Sequence, residues 1–291
     1  MRKTSWILVC VMVLGLFSGC GTQQIEYDIA ATTLPVYQFT SMLVEGTGLT
    51  VTRLVTESVS CLHDYSLNVR QVKAAEGAAL IVINGAGLED FMADILEDRN
   101  VIDASENIPL LEGCEDHEEH DGHHHHETDS HIWLSPSNAM VMVTNIAEGL
   151  KAAYPQHSQQ LEWNCIVVLT KLMALLNYGN TQLAQLQSRE LVTFHDGFQY
   201  FAKSFQLEIV AAVEEEAGSE TSAHQLIDLI QLVQAHQIPA VFTESNGSDA
   251  SAQVICREIG TQFFTLDMAM AGDDYFTAMY HNIDTIREAL G

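Results

Sequence analysis

The sequence predicts an α/β protein of two lobes, each a mostly parallel sheet flanked by helices, joined by a long linking helix. Three observations predict it. Strand and helix signals alternate from Glu26 onward, the pattern of a parallel sheet with covering helices. The alternation gives way across residues 157–187 to leucines at helical spacing, then resumes to the C-terminus. The 291 residues, 47% hydrophobic, suffice for one large domain or two of ordinary size.

Residues 1–19 stand apart from the fold. Arg2 and Lys3 form a short basic stretch, Trp6 to Phe17 an apolar one, and Ser18-Gly19-Cys20 follows. This is the pattern of an export signal, shorter than the roughly 20 apolar residues of a comfortable membrane span. The run resembles a bacterial lipobox, with Phe17 where leucine is commonest. That resemblance implies cleavage before Cys20 and lipid on its thiol, anchoring the protein to the outer face of a membrane. The plainer alternative is secretion with Cys20 as an ordinary thiol.

The N-terminal lobe is expected over residues 20–155. Tyr27–Thr33 reads as a strand, Val36–Glu45 as a helix ended by Gly46, and Leu49–Val55 as a second strand. A short helix follows at Val69–Glu76, then a continuously apolar strand at Ala79–Ile83 and a helix near Leu88–Leu96. A loop at 112–130 interrupts the lobe, and Ser137 is expected to cap a helix closed by Tyr154-Pro155. The linking helix is expected over 156–188, with Gly179 a weak point. The C-terminal lobe, 189–291, has strand signals at Glu190–Phe194, Glu208–Val213, Ala240–Thr243 and Gln262–Leu266. Its helices are expected from Ser222 to His236, from Ser248 to Ile259 before Gly260, and from Asp273 to Leu290.

The chemistry is concentrated in histidine. Seven of the 13 histidines lie between His117 and His131, in HEEHDGHHHHETDSH. Eight acids lie in or just before that stretch: Glu112, Glu115, Asp116, Glu118, Glu119, Asp121, Glu127 and Asp129. Such a segment lacks apolar periodicity and reads as a solvated loop. Imidazole and carboxylate together suit borderline divalent metals such as zinc. The blander alternatives are an acidic surface loop or an engineered tag, but the run is internal, mixed with acids, and continues into the apolar HIWLSP.

Charge and motifs exclude other classes. The formal charge is −27, and loss of residues 1–19 leaves 10 basic against 39 acidic residues. That balance excludes nucleic acid as partner, since phosphate binding needs clustered Lys and Arg. No phosphate-binding glycine motif is present, so nucleotide chemistry is unsupported. Cys61, Cys114, Cys165 and Cys256 allow three disulfide pairings, among which the sequence does not choose. No C-x-x-C pair occurs, against a thiolate zinc site or a redox pair.

Outside the run, His63, His131 and His195 each read as lying at the end of a strand or in the turn after one. Asp267 follows the strand ending at Leu266 in the same way. Ligands of open α/β sheets gather beyond the carboxyl ends of strands. Two such positions fall in each half, so convergence would put a site between the lobes. Asp64 and Asp196 directly follow ligand candidates and are expected either to orient them or to lie on the lobe surface.

The segments around these residues are HDYSLNVRQVKAAEGAALIVINGAGLEDF at 63–91, HIWLSPSNA at 131–139, ELVTFHDGFQYFAKSFQLEI at 190–209 and AVFTESNGSDASAQVICREIGTQFFTLDM at 240–268, preceded by ATTLPVYQFT at 31–40. With them the chain resembles the metal-binding solute-binding lipoproteins of ABC importers, the cluster A-I or cluster 9 family. The resemblance covers nearly the whole chain after residue 20. It implies metal ligation by His63, His131, His195 and Asp267. It also implies a zinc-type member, because His195 stands where manganese-type members usually carry glutamate, and because the histidine-rich loop is a habit of zinc-type members. Three imidazoles and a carboxylate suit tetrahedral zinc, whereas manganese favours more oxygen. The chain departs from the family pattern at Ser66 and Leu67, usually glutamate and proline, and at Met268, usually proline. Water or Glu244 remains an alternative fourth ligand.

The resemblance thus implies a non-enzymatic, monomeric, extracytoplasmic receptor delivering Zn2+ to an ABC importer permease and its ATPase, tied to the membrane through Cys20. Zinc capture should weaken as histidines protonate, near pH 6.5 for an unperturbed group. A manganese-type receptor of the same family and a surface zinc hydrolase are the alternatives, with an added adhesin or metal-buffer role open. His117, His120, His123, His124, His125 and His126 are then an accessory metal loop near the cleft mouth.

Overall fold

The structure is a computed structural model, and it describes residues 27–57, 62, 65–112, 128–214, 223–245, 247, 249–270 and 272–291. The first lobe holds a four-stranded sheet of β1 (Ile29–Ala31), β2 (Val51–Arg53), β3 (Leu80–Ile83) and β4 (Val101–Asp103). Every pairing in it is parallel, in the order β2-β1-β3-β4. The second lobe repeats the architecture with β5 (Glu190–His195), β6 (Glu208–Glu214), β7 (Ala240–Glu244) and β8 (Gln262–Leu266), again all parallel, in the order β6-β5-β7-β8. The central strands read as continuous apolar runs because helices cover both faces of each sheet.

Helices α1 (Leu34–Leu43), α2 (Val69–Gly77) and α3 (Ala93–Leu96) flank the first sheet, and α4 (Pro136–Ala153) packs back across it. Helix α5 (Ser158–Gln182) is the link, and α6 (Gln199–Ser204), α7 (Ala223–His236), α8 (Ala250–Ile259) and α9 (Tyr275–Leu290) belong to the second lobe. Among the described residues, no helix is long and apolar enough to cross a membrane.

Several local expectations shift. The strand β4 and helix α6 carry too few residues for a periodic signal and were not expected. The helix expected near Leu88–Leu96 is a single 3-10 turn, Asp90–Met92, followed by the one-turn α3. Helix α4 is capped by Ser135, whose hydroxyl accepts from the Asn138 amide at 3.2 Å, and not by Ser137. Pro136 then occupies the first turn, where its missing amide proton costs nothing. Asp274, not Asp273, caps α9 by accepting from the Phe276 amide at 3.1 Å. Ser222 lies outside the described residues.

The 25 residues of α5 give a rod of about 37 Å. Its first half is fixed to the first lobe: the buried Asn164 amide donates to the carbonyls of Leu43 at 2.7 Å and Glu45 at 2.8 Å. Its second half belongs to the second lobe, where the Tyr178 hydroxyl donates to Asp284 at 2.7 Å. Gly179 does not break the rod. It lets the helix pack closely on the second lobe, since a Cβ there would overlap the Phe205 ring.

The principal core crosses between the lobes without a gap. Phe39, Trp133, Met142, Leu161, Leu172, Phe201, Tyr275 and Ile283 all belong to one buried cluster. Smaller clusters lie on the outer faces of the two sheets, around Ile81 and Met92 in the first lobe and around Val192, Val241 and Ile255 in the second. The lobes therefore share their largest apolar core, which favours small tilts over a wide hinge motion.

Candidate metal centre between the lobes

His195 is the last residue of β5, so its side chain emerges at the carboxyl edge of the second sheet. It is 3% exposed. His131 arrives differently from expectation. It does not follow a strand: it stands at the head of a 3-10 turn, Ile132–Leu134, after a segment whose Thr128 makes an isolated bridge to Glu112. Asp129 fixes this conformation. One carboxylate oxygen accepts from the His131 backbone amide at 2.9 Å and lies 2.8 Å from the His131 Nδ1. His131 is 5% exposed.

The two rings meet edge to face. Their Nε2 atoms are 3.4 Å apart, their centroids 5.2 Å, and their planes are inclined by 83°. Each ring has a carboxylate behind it: Asp129 at His131 Nδ1, and Glu244, the last residue of β7, 3.5 Å from His195 Nδ1. A carboxylate at Nδ1 keeps the proton there and turns the Nε2 lone pair outward. With that tautomer on both rings, the two Nε2 atoms can ligate one cation between them. Two nitrogens held about 2.0–2.1 Å from a tetrahedral zinc ion lie roughly 3.3–3.4 Å apart, so the observed spacing matches a shared ion.

The surroundings lock the pair. Trp133, fully buried, donates its indole N–H to the Met268 carbonyl at 2.7 Å, and the Tyr275 hydroxyl donates to the Trp133 carbonyl at 2.8 Å. The Tyr200 hydroxyl of α6 donates to the Asp129 carbonyl at 3.0 Å. Each bond joins the His131 segment to the second lobe. Gly197, two residues after His195, has no room for a side chain: a Cβ there would come within 2.5 Å of Met268 Cε and 2.8 Å of His195 Cδ2.

Asp267 directly follows β8, as expected, and is partly buried. Its backbone is clamped by Asn282, which accepts from its amide and donates to its carbonyl, both at 2.7 Å. One carboxylate oxygen accepts from the Ala269 amide at 2.7 Å. Among the described residues, Asp267 does not join His131 and His195 in a three-group metal cluster. His63 and Asp64 lie outside the described residues, as do Cys20, His117, His120 and His123 to His126. Cys61 and Cys114 do too, while Cys165 and Cys256 are free thiols.

Two acids have roles the sequence reading did not give them. Asp129, counted there only among the loop acids, backs His131; an Asp two residues before a ligand candidate, able to accept from its amide, was the available signal. Glu244, weighed as a fourth ligand, lies on the Nδ1 side of His195, away from the facing Nε2 atoms. Asp196 is partly buried and accepts from the Gln199 side-chain amide at 3.1 Å, at the start of α6.

Two all-parallel lobes on one linking helix, closing on buried histidines from opposite halves, define a two-lobed solute-binding protein. The chain belongs to the ZnuA family, described as zinc-uptake complex component A, periplasmic, whose sequence model matches residues 29–289. That family is one of receptors, not enzymes. Among similar proteins, the zinc-binding lipoprotein AdcA of Streptococcus pneumoniae serotype 4 is 29% identical over 99% of this chain and 61% of its own. The chain thus spans about three-fifths of that relative's length. A crystal structure of ZnuA superposes with a TM-score of 0.80 at 27% identity, covering 91% of this chain and all of the other. Zn(II)-bound AdcA from Streptococcus pneumoniae gives 0.77 at 26% identity, covering 91% of this chain and 58% of its own.

Proposed function

We propose that this protein is an extracytoplasmic zinc receptor that captures Zn2+ between its lobes and hands it to an ABC importer's permease and ATPase. The observation that carries the reading is the Nε2–Nε2 distance of 3.4 Å between His131 and His195, each ring backed by a carboxylate. His63 and Asp267 complete the ligand set in this reading, giving three imidazoles and one carboxylate. Imidazole at position 195, rather than an oxygen donor, favours zinc over manganese. Zinc is the cargo, so binding must be tight enough to capture and reversible enough to release. Lipid on Cys20 holds the receptor at the membrane, and the histidines at 117, 120 and 123–126 form a weaker accessory site at the cleft mouth.

The test is zinc titration of the chain from Cys20 onward, with competing chelator and analysis of the bound metal. One tight equivalent is expected, lost in the triple variant His63→Ala, His131→Ala, His195→Ala. Deleting residues 115–127 should lower total stoichiometry while keeping the tight equivalent. A triple variant that still binds one zinc tightly, or a wild type that takes manganese in preference, would overturn the assignment. X-ray absorption then counts the nitrogen and oxygen ligands and decides whether Asp267 is the fourth.

A further inference from the structure

The backbone leading into His131 rests on a strained turn of the first lobe. We propose that this turn, Asn84 to Gly87, held by Glu89 and reaching out through the Asn84 side chain, positions His131 to take metal. The inference rests on the zinc-receptor reading above.

The turn is costly in two ways. Gly85, Ala86 and Gly87 take successive positive φ values of 80°, 54° and 82°, and Ala86 carries a Cβ that disfavours that region. Glu89, 3% exposed, is a carboxyl group removed from water inside the lobe. Neither feature is what stability alone would select, and such local costs persist where surrounding contacts over-determine them and a function uses them.

The contacts here do over-determine the turn. One Glu89 oxygen accepts from the Asn84 amide at 2.8 Å and from the Thr32 hydroxyl at 2.6 Å. The other accepts from the Gly85 amide at 3.0 Å. The Ala86 amide donates to the Ser105 hydroxyl at 3.1 Å, and Ser105 in turn donates to Asp103 at 2.7 Å. Gly85 has no room for a side chain, because a Cβ would overlap the Asp103 carboxylate. The ends of β1, β3 and β4 thus all brace one four-residue turn.

Asn84 is how the turn acts at a distance. Fully buried, it donates from Nδ2 to the Ser130 carbonyl at 3.1 Å and to the Gly85 carbonyl at 3.0 Å. The Tyr200 hydroxyl fixes the neighbouring Asp129 carbonyl from the second lobe at 3.0 Å. The two peptide oxygens before His131 are therefore pinned in succession, one from each lobe. A peptide plane so held cannot rotate, and Asp129 stays where it orients the imidazole. Asn84 and Glu89 are positioning residues: neither touches the facing nitrogens.

The experiment compares wild type with Asn84→Ala, and with the milder Asn84→Ser should the alanine variant fail to fold. The readouts are zinc affinity by chelator competition and the imidazole 15N resonances of His131 in metal-free protein. We expect about tenfold weaker zinc binding, the lower end for removal of a ligand-orienting partner, together with displaced His131 resonances. Val82→Ala, in the core of the adjacent strand, should lower the melting temperature while leaving both readouts unchanged. Asn84 variants with wild-type affinity and unmoved His131 signals would overturn the inference. A wild type that binds no zinc would defeat the receptor reading instead, and the His131 resonances alone would then decide whether Asn84 positions that ring.

Discussion

Raising the pH should weaken this fold through a single buried carboxyl. Burial is the largest influence on Glu89 and lifts its pKa from the ordinary 4.5 to about 7, against the hydrogen bonds from Thr32, Asn84 and Gly85, which favour the charged form. Below pH 4.5 the group is protonated in both folded and unfolded chains and contributes no difference. Between 4.5 and about 7 the unfolded chain releases a proton that the folded one keeps, so the folded state binds more protons and stability falls as pH rises. At ~1.4 kcal/mol per pH unit, the loss is complete above pH 7 and amounts to about 3 kcal/mol. The assay is urea unfolding followed by circular dichroism, at steps from pH 4.5 to about 8, on wild type and Glu89→Gln. The glutamine cannot titrate, so the stability difference between the two should narrow or reverse by about 3 kcal/mol across that range. Glu57, held below the ordinary carboxylate range chiefly by the Tyr65 hydroxyl, acts in the opposite sense but is common to both proteins and cancels. A difference that stays flat with pH would refute the reasoning.

Other outcomes follow from single contacts. Asp129→Asn keeps the shape but removes the charge behind His131 Nδ1, and should weaken zinc binding by about 10- to 100-fold in chelator competition. Gly197→Ala pushes a methyl against the His195 ring and Met268; it should cost about 1–3 kcal/mol in urea unfolding and weaken zinc binding as well. Gly179→Ala forces the linking helix off Phe205, with a similar stability loss in a thermal melt but an unchanged single tight zinc equivalent. Trp133→Phe leaves the Met268 carbonyl without its buried donor and should destabilise by about 1–3 kcal/mol.

The sequence alone determined the layered α/β alternation, because parallel strands buried on both faces must be apolar throughout and their covering helices must be amphipathic. It determined the linking helix for the same reason: Leu161, Val168, Leu172 and Leu175 recur at helical spacing and are all buried. It offered His131, His195 and Asp267 as candidates from their expected places at strand ends, which hold for His195 and Asp267 but not for His131. It did not yield β4 or α6, whose three and six residues are too short to show a period. Only the tertiary structure brought His131 and His195 to 3.4 Å, since 64 residues separate them in the chain. It likewise turned Asp129 and Glu244 toward their imidazoles and put Asn84 behind Ser130. Side-chain periodicity records which way a residue faces within its own element. The distance between two lobes' edges, and the hydrogen bonds that cross it, depend on how a shared core packs, and no local pattern in the chain encodes that.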